Sequence, residues 1–542
     1  MLGLMQDHPL SISSFIEFAA RNHGDAEIVS RRVEGDIHRT TYGQAALRVR
    51  KVAQALDRLD IGFSERIATL AWNGYRHFEL YFGVSGSGRV VHTLNPRLPP
   101  DQLVWIVNHA EDRMVAFDLT FLPLIKAVWR LCPTVKHWLA LCEADALPAD
   151  SGIEGLQSYE ALIAPESGAY TWPSFDERSA ATLCYTSGTT GNPKGVLYSH
   201  RSTVLHAYAG ALPDSLNLSA RDCILPVVPM FHVNAWGLPY GAAMTGAKMV
   251  FPGPALDGKS IYELLEAEQV TMAAGVPTVW LMLLNHVKQN GLKFSHMRRT
   301  VIGGSACPPA MIKTFRDDFD VTVLHAWGMT EMSPLGTVCN LKLAQRSLDP
   351  EAQLAVMCKQ GRGVYGIDMR IVGPDGAELP WDGQSSGDVH VRGPWVLSSY
   401  FKGEGGDPLV DGWFPTGDVA SIDADGFMQI TDRSKDVIKS GGEWISSIDI
   451  ENVAMAHPAV AMAACIGMPH PKWDERPLLV VVKKPGAEAS REELLAFYEG
   501  RVAKWQVPDD VVFVDAIPLG ATGKMQKNKL REQFKNHSLT QA

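Results

Sequence analysis

The chain has 542 residues, 46% hydrophobic and 20% charged, with a formal net charge of −10. That length exceeds what one hydrophobic core serves, so at least two domains are expected, and the composition excludes a disordered or fibrous protein. The acidic balance excludes a general nucleic-acid binder, whose affinity comes from neutralising phosphates; an anionic ligand has to meet a local cluster of cations instead.

From the N-terminus, MLGLMQDHPLSISSF has no basic stretch followed by an apolar run, so no signal peptide is expected. Strand-like runs then alternate with helix-length amphipathic segments: ERIATLAWNG before YRHFELYFGVSGSG, and RMVAFDLT before FLPLIKAVWRLC. Such alternation predicts an α/β fold with largely parallel sheets. AATLCYT reads as a buried strand leading into a glycine-rich loop. VTMAAGVPTVWLMLL (270–284) is too short to cross a bilayer and contains Pro277, which predicts a strand, a turn and the start of a helix. After about residue 340, short strands with Gly/Asp turns predict a β-rich subdomain (340–432). The charged, glycine-paired stretch DRSKDVIKSGGEW places a domain boundary between 432 and 433. The 8 cysteines are scattered without a C-x-x-C pair, which points away from a zinc cluster or disulfide framework and toward a reducing, cytoplasmic setting.

The strongest local signal is YTSGTTGNPKGV (185–196). Its glycines Gly188, Gly191 and Gly195 let backbone N–H groups converge on an anion, Ser187, Thr189 and Thr190 add hydroxyl donors, and Lys194 adds a charge. The composition suits a loop that holds phosphates. It is not a Walker A loop, because Lys194 follows Pro193 and precedes Gly195 rather than Ser or Thr.

This string resembles the phosphate-binding signature of the adenylate-forming superfamily: acyl-CoA synthetases, firefly-type luciferases and peptide-synthetase adenylation domains. The resemblance extends over nearly the whole chain. In HAWGMTEMSP (325–334), Trp327 offers a flat face for adenine, Thr330 a hydroxyl for phosphate, and Glu331 a hard oxygen ligand for a magnesium ion bridging ATP phosphates. The family more often has Tyr at the position of Trp327. VIGGSACPP (301–309) reads as a strand and a tight turn, and the resemblance places Gly303, Gly304, Ser305 and Ala306 between the adenine site and the acyl pocket. Thr186, Ala326, Gly328 and Met329 join the nucleotide site by the same matching. Asp418 in WFPTGDVA has a carboxylate able to accept both ribose hydroxyls, and Arg433 is the second expected ribose or phosphate contact. PLGATGKMQKNKLRE (518–532) resembles the catalytic-lysine loop: Lys524 would reach the substrate carboxylate and the α-phosphate, whereas Lys527 and Lys529 read as solvated.

PMFHVNAWGLPY (229–240), KSGGEWIS (439–446) and PHPKWDERPL (469–478) resemble the bacterial medium- and long-chain fatty acyl-CoA ligase branch, which includes 3-methylthiopropionate-CoA ligases. The resemblance implies His232 near the acyl carboxylate, Trp236 as gate of the acyl tunnel with Val233, Gly303 and Met329 alongside, and Lys435 as hinge. It places Lys439, Ser440, Gly441, Gly442, Glu443 and Trp444 on the CoA side. The catalytic set is then Lys524, Thr186, Glu331 and His232. It also implies a fold: a large N-terminal domain (1–432) of two mixed, mainly parallel sheets with helices and the β-rich subdomain, then a small mobile α+β domain (433–542). The activity implied is an ATP- and Mg-dependent, AMP-forming ligation of a short- to medium-chain fatty acid to CoA; the alternatives are 3-methylthiopropionate, or an adenylating enzyme with another acceptor. No nucleic acid and no transmembrane segment are expected, and a homodimer is possible by analogy with relatives. A non-catalytic binding protein on the same fold would have lost Lys524, Glu331 or Arg433, and this chain keeps all three.

Overall fold

The structure is a computed structural model; it describes residues 1, 3–186, 192–441, 443–520 and 525–539, with only the backbone of residue 443. Expectations for Ser187, Gly188, Thr189, Thr190, Gly191, Gly442 and Lys524 therefore lie outside the described residues.

Two large sheets form the N-terminal part. The seven-stranded one runs, edge to edge, Gln157–Ser158, His137–Ala140, Asp112–Phe117, Arg66–Leu70, Val90–Thr93, Ala180–Tyr185 and Gly195–Ser199. It is parallel until its last pair, where Ala180–Tyr185 and Gly195–Ser199 make an antiparallel hairpin. The nine-stranded sheet carries a parallel centre, Thr322–Gly328, Arg299–Ile302, Met272–Gly275, Cys223–Pro226, Lys248–Phe251 and Glu27–Arg31, with antiparallel strands at both edges.

The helix Tyr75–Gly86 is buried along its whole length. Its crossing with helix Tyr42–Arg58 depends on Gly83, where an added Cβ would lie 2.7 Å from a Val52 methyl. Helix Tyr42–Arg58 starts on a capping box, Thr41 with Gln44. A buried carboxylate, Glu79, is held by Arg48 at 2.7 Å and by the Tyr159 hydroxyl at 2.6 Å. Burying that charge is tolerable because both partners are fixed.

The β-rich region starts later than the turn-rich sequence suggests. Leu343–Arg346 and Pro350–Met357 are helices, and Leu354 and Met357 join the apolar cluster under the nine-stranded sheet. Strand Arg362–Gly363 still belongs to that sheet. Only then come the antiparallel strands Asp368–Val372, Ser386–Arg392, Phe414–Ile422 and Met428–Arg433. The helical stretch was hidden because its apolar residues serve a neighbouring sheet, not a face of its own. A five-stranded sheet follows, opening with Ile438–Ser440 and centred on the long hairpin Val460–His470 and Asp474–Lys483. Among the described residues no helix is long and apolar enough to cross a membrane.

Candidate active site

The C-terminal ends of parallel strands open onto one cleft of about 1960 Å³, the place where open α/β sheets put ligands. Lys194, His232, Trp236, Gly303, Gly304, Trp327, Glu331, Asp418 and Arg433 all line it. Thr186, Val233, Ser305, Ala306, Ala326, Gly328, Met329, Thr330 and Lys435 do so too. Residues scattered over 250 positions of sequence are thus brought together.

The glycine-rich loop closes a hairpin. Tyr185 pairs with Gly195, the Thr186 N–H donates to the Lys194 carbonyl at 2.9 Å, and the Lys194 N–H donates to the Thr186 hydroxyl at 3.1 Å. Thr186 therefore acts as the clasp of the loop stem. The Tyr185 hydroxyl lies 2.6 Å from His109 Nδ1, which fixes the stem from outside.

Strand Thr322–Gly328 delivers Trp327, and a tight return delivers Glu331. At Gly328 a Cβ would lie 2.0 Å from the Pro334 carbonyl oxygen, so only glycine permits this return. Trp327 rests against Gly336 and donates its indole N–H to Asp418 Oδ2 at 2.9 Å. Arg433 Nε meets the other oxygen, Oδ1, at 2.8 Å. Three residues expected to act on the nucleotide thus already form one network, and Trp327 supplies a polar contact as well as a flat ring. Each carboxylate oxygen retains an acceptor position for a ribose hydroxyl.

His325 braces the turn after strand Arg299–Ile302. Burial pushes it down to about 4, so it is neutral: Nε2 accepts the Cys307 N–H at 3.3 Å while Nδ1 faces the Cys358 carbonyl at 3.1 Å. At Gly303 a Cβ would lie 2.9 Å from the Ala326 carbonyl and 3.4 Å from the Trp236 ring. The Trp236 indole therefore leans on this glycine pair within the cleft.

Sequence reasoning missed how Trp236 is presented. Val233, Asn234, Ala235 and Trp236 have φ of 45°, 52°, 49° and 58°, and Gly237 follows at 77°. This is one left-handed turn, and left-handed geometry costs an L-residue roughly 1–2 kcal/mol each. Packing enforces it. The Asn234 side-chain carbonyl faces the Tyr81 hydroxyl at 3.4 Å and the Cys184 thiol at 3.5 Å. Gly237 fits against His206, whose Nε2 accepts the Leu335 N–H at 3.1 Å. Burial keeps His206 near 4, hence neutral and able to accept. The apolar string gave no hint of this conformation, because propensity does not select αL for Val or Trp.

Metal binding fits a shared site. Among the described residues no group of three or more His, Cys, Asp or Glu side chains is placed to hold an ion. Glu331, a single carboxylate beside a phosphate loop, matches magnesium's habit of taking one or two carboxylates plus substrate phosphates.

The C-terminal segment contributes one of its two expected faces. Gly520 and Met525, flanking Lys524, line the cleft. Of the described residues in the CoA-side motif, Lys439, Ser440, Gly441 and Trp444 do not. Trp473, which sequence analysis quoted without assigning, covers Gly441: a Cβ there would lie 2.6 Å from its ring. Lys529 is exposed, as expected, but Lys527 is not solvated. Its ammonium is 2.7 Å from Glu451 and 2.5 Å from the Ser447 hydroxyl, with the side chain 10% exposed. Burial opposes that charge, yet Glu451 and Asp432 outweigh it and hold the ammonium above the ordinary lysine range. Lys527 thus ties helix Lys527–Gln533 to helix Ser447–Met455, and Arg531–Asp436 at 2.7 Å ties it to the segment around Lys435.

Residues 16–401 match the AMP-binding enzyme family and residues 449–524 its C-terminal domain. The chain is 55% identical to a 3-methylmercaptopropionyl-CoA ligase of Ruegeria lacuscaerulensis over 99% of both chains. It is 52% identical to a medium-chain-fatty-acid–CoA ligase of Ectopseudomonas oleovorans over 98% of both. ATP-bound MatB from Rhodopseudomonas palustris superposes with a TM-score of 0.80 at 26% identity, covering 97% of this chain and 99% of that one. A matched family spanning both parts of the chain, full-length relatives that are CoA ligases, and a cleft holding the expected residues agree: the chain belongs to the AMP-binding enzyme family, on its acyl-CoA ligase branch.

Proposed function

We propose that this AMP-forming ligase activates short- to medium-chain acids, a range that includes 3-methylmercaptopropionate. The observation that carries this reading is Trp236, held in the cleft by a left-handed turn and leaning on Gly303 and Gly304. We infer that a bulky ring held there limits how far an acyl chain extends into the cleft. Relatives named for 3-methylmercaptopropionate and for medium-chain acids share more than half of the sequence, which supports the same range.

A carboxylate is a poor electrophile because its leaving group would be oxide, and AMP supplies a better one. In the first half-reaction the acid's carboxylate attacks the α-phosphorus of ATP in line with departing pyrophosphate. No general base is needed, since the acid is already ionised. The chain's task is to place two anions against each other and to answer the charge that develops on phosphate oxygens. The Thr186–Lys194 clasp joins the two ends of the phosphate-loop string, Glu331 offers a metal ligand, and Asp418 with Trp327 and Arg433 receives the ribose. His232 borders the acyl side, and Lys524 is the residue assigned by family resemblance to the reacting carboxylate and α-phosphate. Glu331 would hold magnesium, which would supply positive charge to answer the charge on the phosphates. In the second half-reaction the CoA thiol attacks the acyl-adenylate carbonyl and AMP leaves. We assign that step to a second orientation of the C-terminal domain, turned about Lys435, that brings the 439–444 motif to the cleft. Eight free cysteines are consistent with a cytoplasmic setting.

Replacing Trp236 with Ala should move the kcat/KM profile toward longer acids, each newly accommodated methylene contributing about fourfold; a uniform rate loss with an unchanged profile would count against the gate. Lys435→Pro freezes φ and removes a backbone N–H, so thioester formation should collapse while acid-dependent ATP–pyrophosphate exchange persists; equal loss of both would remove the hinge. Trp327→Phe keeps the ring but leaves Asp418 one donor short. Calorimetric titration should show AMP binding weakened about tenfold or more, and unchanged affinity would show that the indole N–H does not shape the ribose site.

A further inference from the structure

One aromatic side chain in the cleft serves two opposite charges and has been given no role. Tyr400 begins the segment 400–406, which packs over the stem of the phosphate loop. Its ring lies 4.7 Å from Lys194 Nζ, within cation–π range. Its hydroxyl donates to Glu331 Oε1 at 3.0 Å. The rest of the segment fixes this arrangement. Gly405 lies so close to the ammonium that a Cβ there would be 2.6 Å from Nζ, and a Cβ on Gly195 would be 2.9 Å from the Phe401 Cβ. From the other side, the Leu397 N–H donates to the Glu331 carbonyl at 2.9 Å.

A lysine and a glutamate sharing one cleft are drawn toward each other, and direct pairing would occupy both the phosphate cation and the metal ligand. Tyr400 gives each charge a separate partner on a single rigid side chain: a π face for the ammonium and a hydroxyl for the carboxylate.

We propose that Tyr400 is a positioning residue for adenylation, its hydroxyl presenting Glu331 toward the magnesium of the nucleotide and its ring presenting Lys194 toward the phosphates. This rests on the roles given above to Glu331 and Lys194. The hydroxyl and the ring can be tested apart by equilibrium binding, without turnover. The full-length protein is titrated calorimetrically with ATP, without acid or CoA, in the presence and absence of magnesium chloride. Tyr400→Phe should retain the metal-free affinity and lose about tenfold of the magnesium-dependent gain, as expected for a hydrogen bond to a charged group. Tyr400→Leu should lose that gain and also weaken metal-free binding by about threefold, the contribution of the cation–π contact. An undiminished magnesium gain in Tyr400→Phe would overturn the proposal. So would equal losses of both terms in the two variants together with a lowered melting temperature, which would mark a structural role. Glu331→Gln, titrated in parallel, separates the layers: if it keeps the magnesium gain, the role of Glu331 itself is wrong, and if it abolishes the gain while Tyr400→Phe does not, only the role of Tyr400 falls.

Discussion

Two anions have to be pressed together in this protein, and the rest of the site follows from that. ATP and a carboxylate repel each other, and they meet on a chain whose own net charge is −10. Long-range attraction cannot gather them, so cations must act at contact distance. In the proposed reading these come from opposite directions: Lys194 from the stem of a hairpin loop and Arg433 from the last strand of the β-rich sheet. Both Lys194 and Arg433 are restrained within the protein, Lys194 over Tyr400 and Arg433 against Asp418. Preorganised charges in a recessed site act more strongly than the same charges in water and need no reorganisation during the reaction. Burial lowers the affinity of Lys435 for its proton, while Asp436 opposes that trend.

The same need explains why neutral side chains are held so firmly. His206 and His325 are buried and uncharged, and each uses a ring nitrogen to accept a backbone N–H from a turn that borders the cleft. Charged imidazoles there could not accept, and they would place cations where no phosphate sits. The left-handed turn at 233–236 is a cost in backbone energy that buries Asn234 and Ala235 and leaves Trp236 and His232 facing the cleft.

Much of this was legible in the sequence. The strand–helix alternation gave the α/β architecture, and the glycine-rich string pointed to a phosphate site, while the Trp-Gly-x-Thr-Glu motif and Asp418 with Arg433 were placed with it by family resemblance, because contiguous motifs can be matched without knowing the fold. What escaped depends on partners far apart in the chain. Tyr400 lies in an unremarked SSYFKG string, and its place between Lys194 and Glu331 appears only when three separate segments meet. Lys527 reads as one solvated lysine among several until Glu451 and Asp432 close around it. The helices at 343–357 pack their apolar residues on a distant sheet and so looked like part of a turn-rich region. The Trp327 N–H to Asp418 bond joins two motifs that were each recognised but not connected.

Lys524 provides the most direct test, since it is the cation assigned to the reacting atoms themselves. A Lys524→Ala variant should lose acid-dependent ATP–pyrophosphate exchange by about a hundredfold or more, the scale of removing one preorganised transition-state contact. The same variant, given preformed acyl-adenylate and CoA, should make thioester near the rate of the unaltered protein. Exchange that survives the substitution, or loss of both half-reactions to the same extent, would contradict the view that gathering cations around two anions is what this structure is built to do.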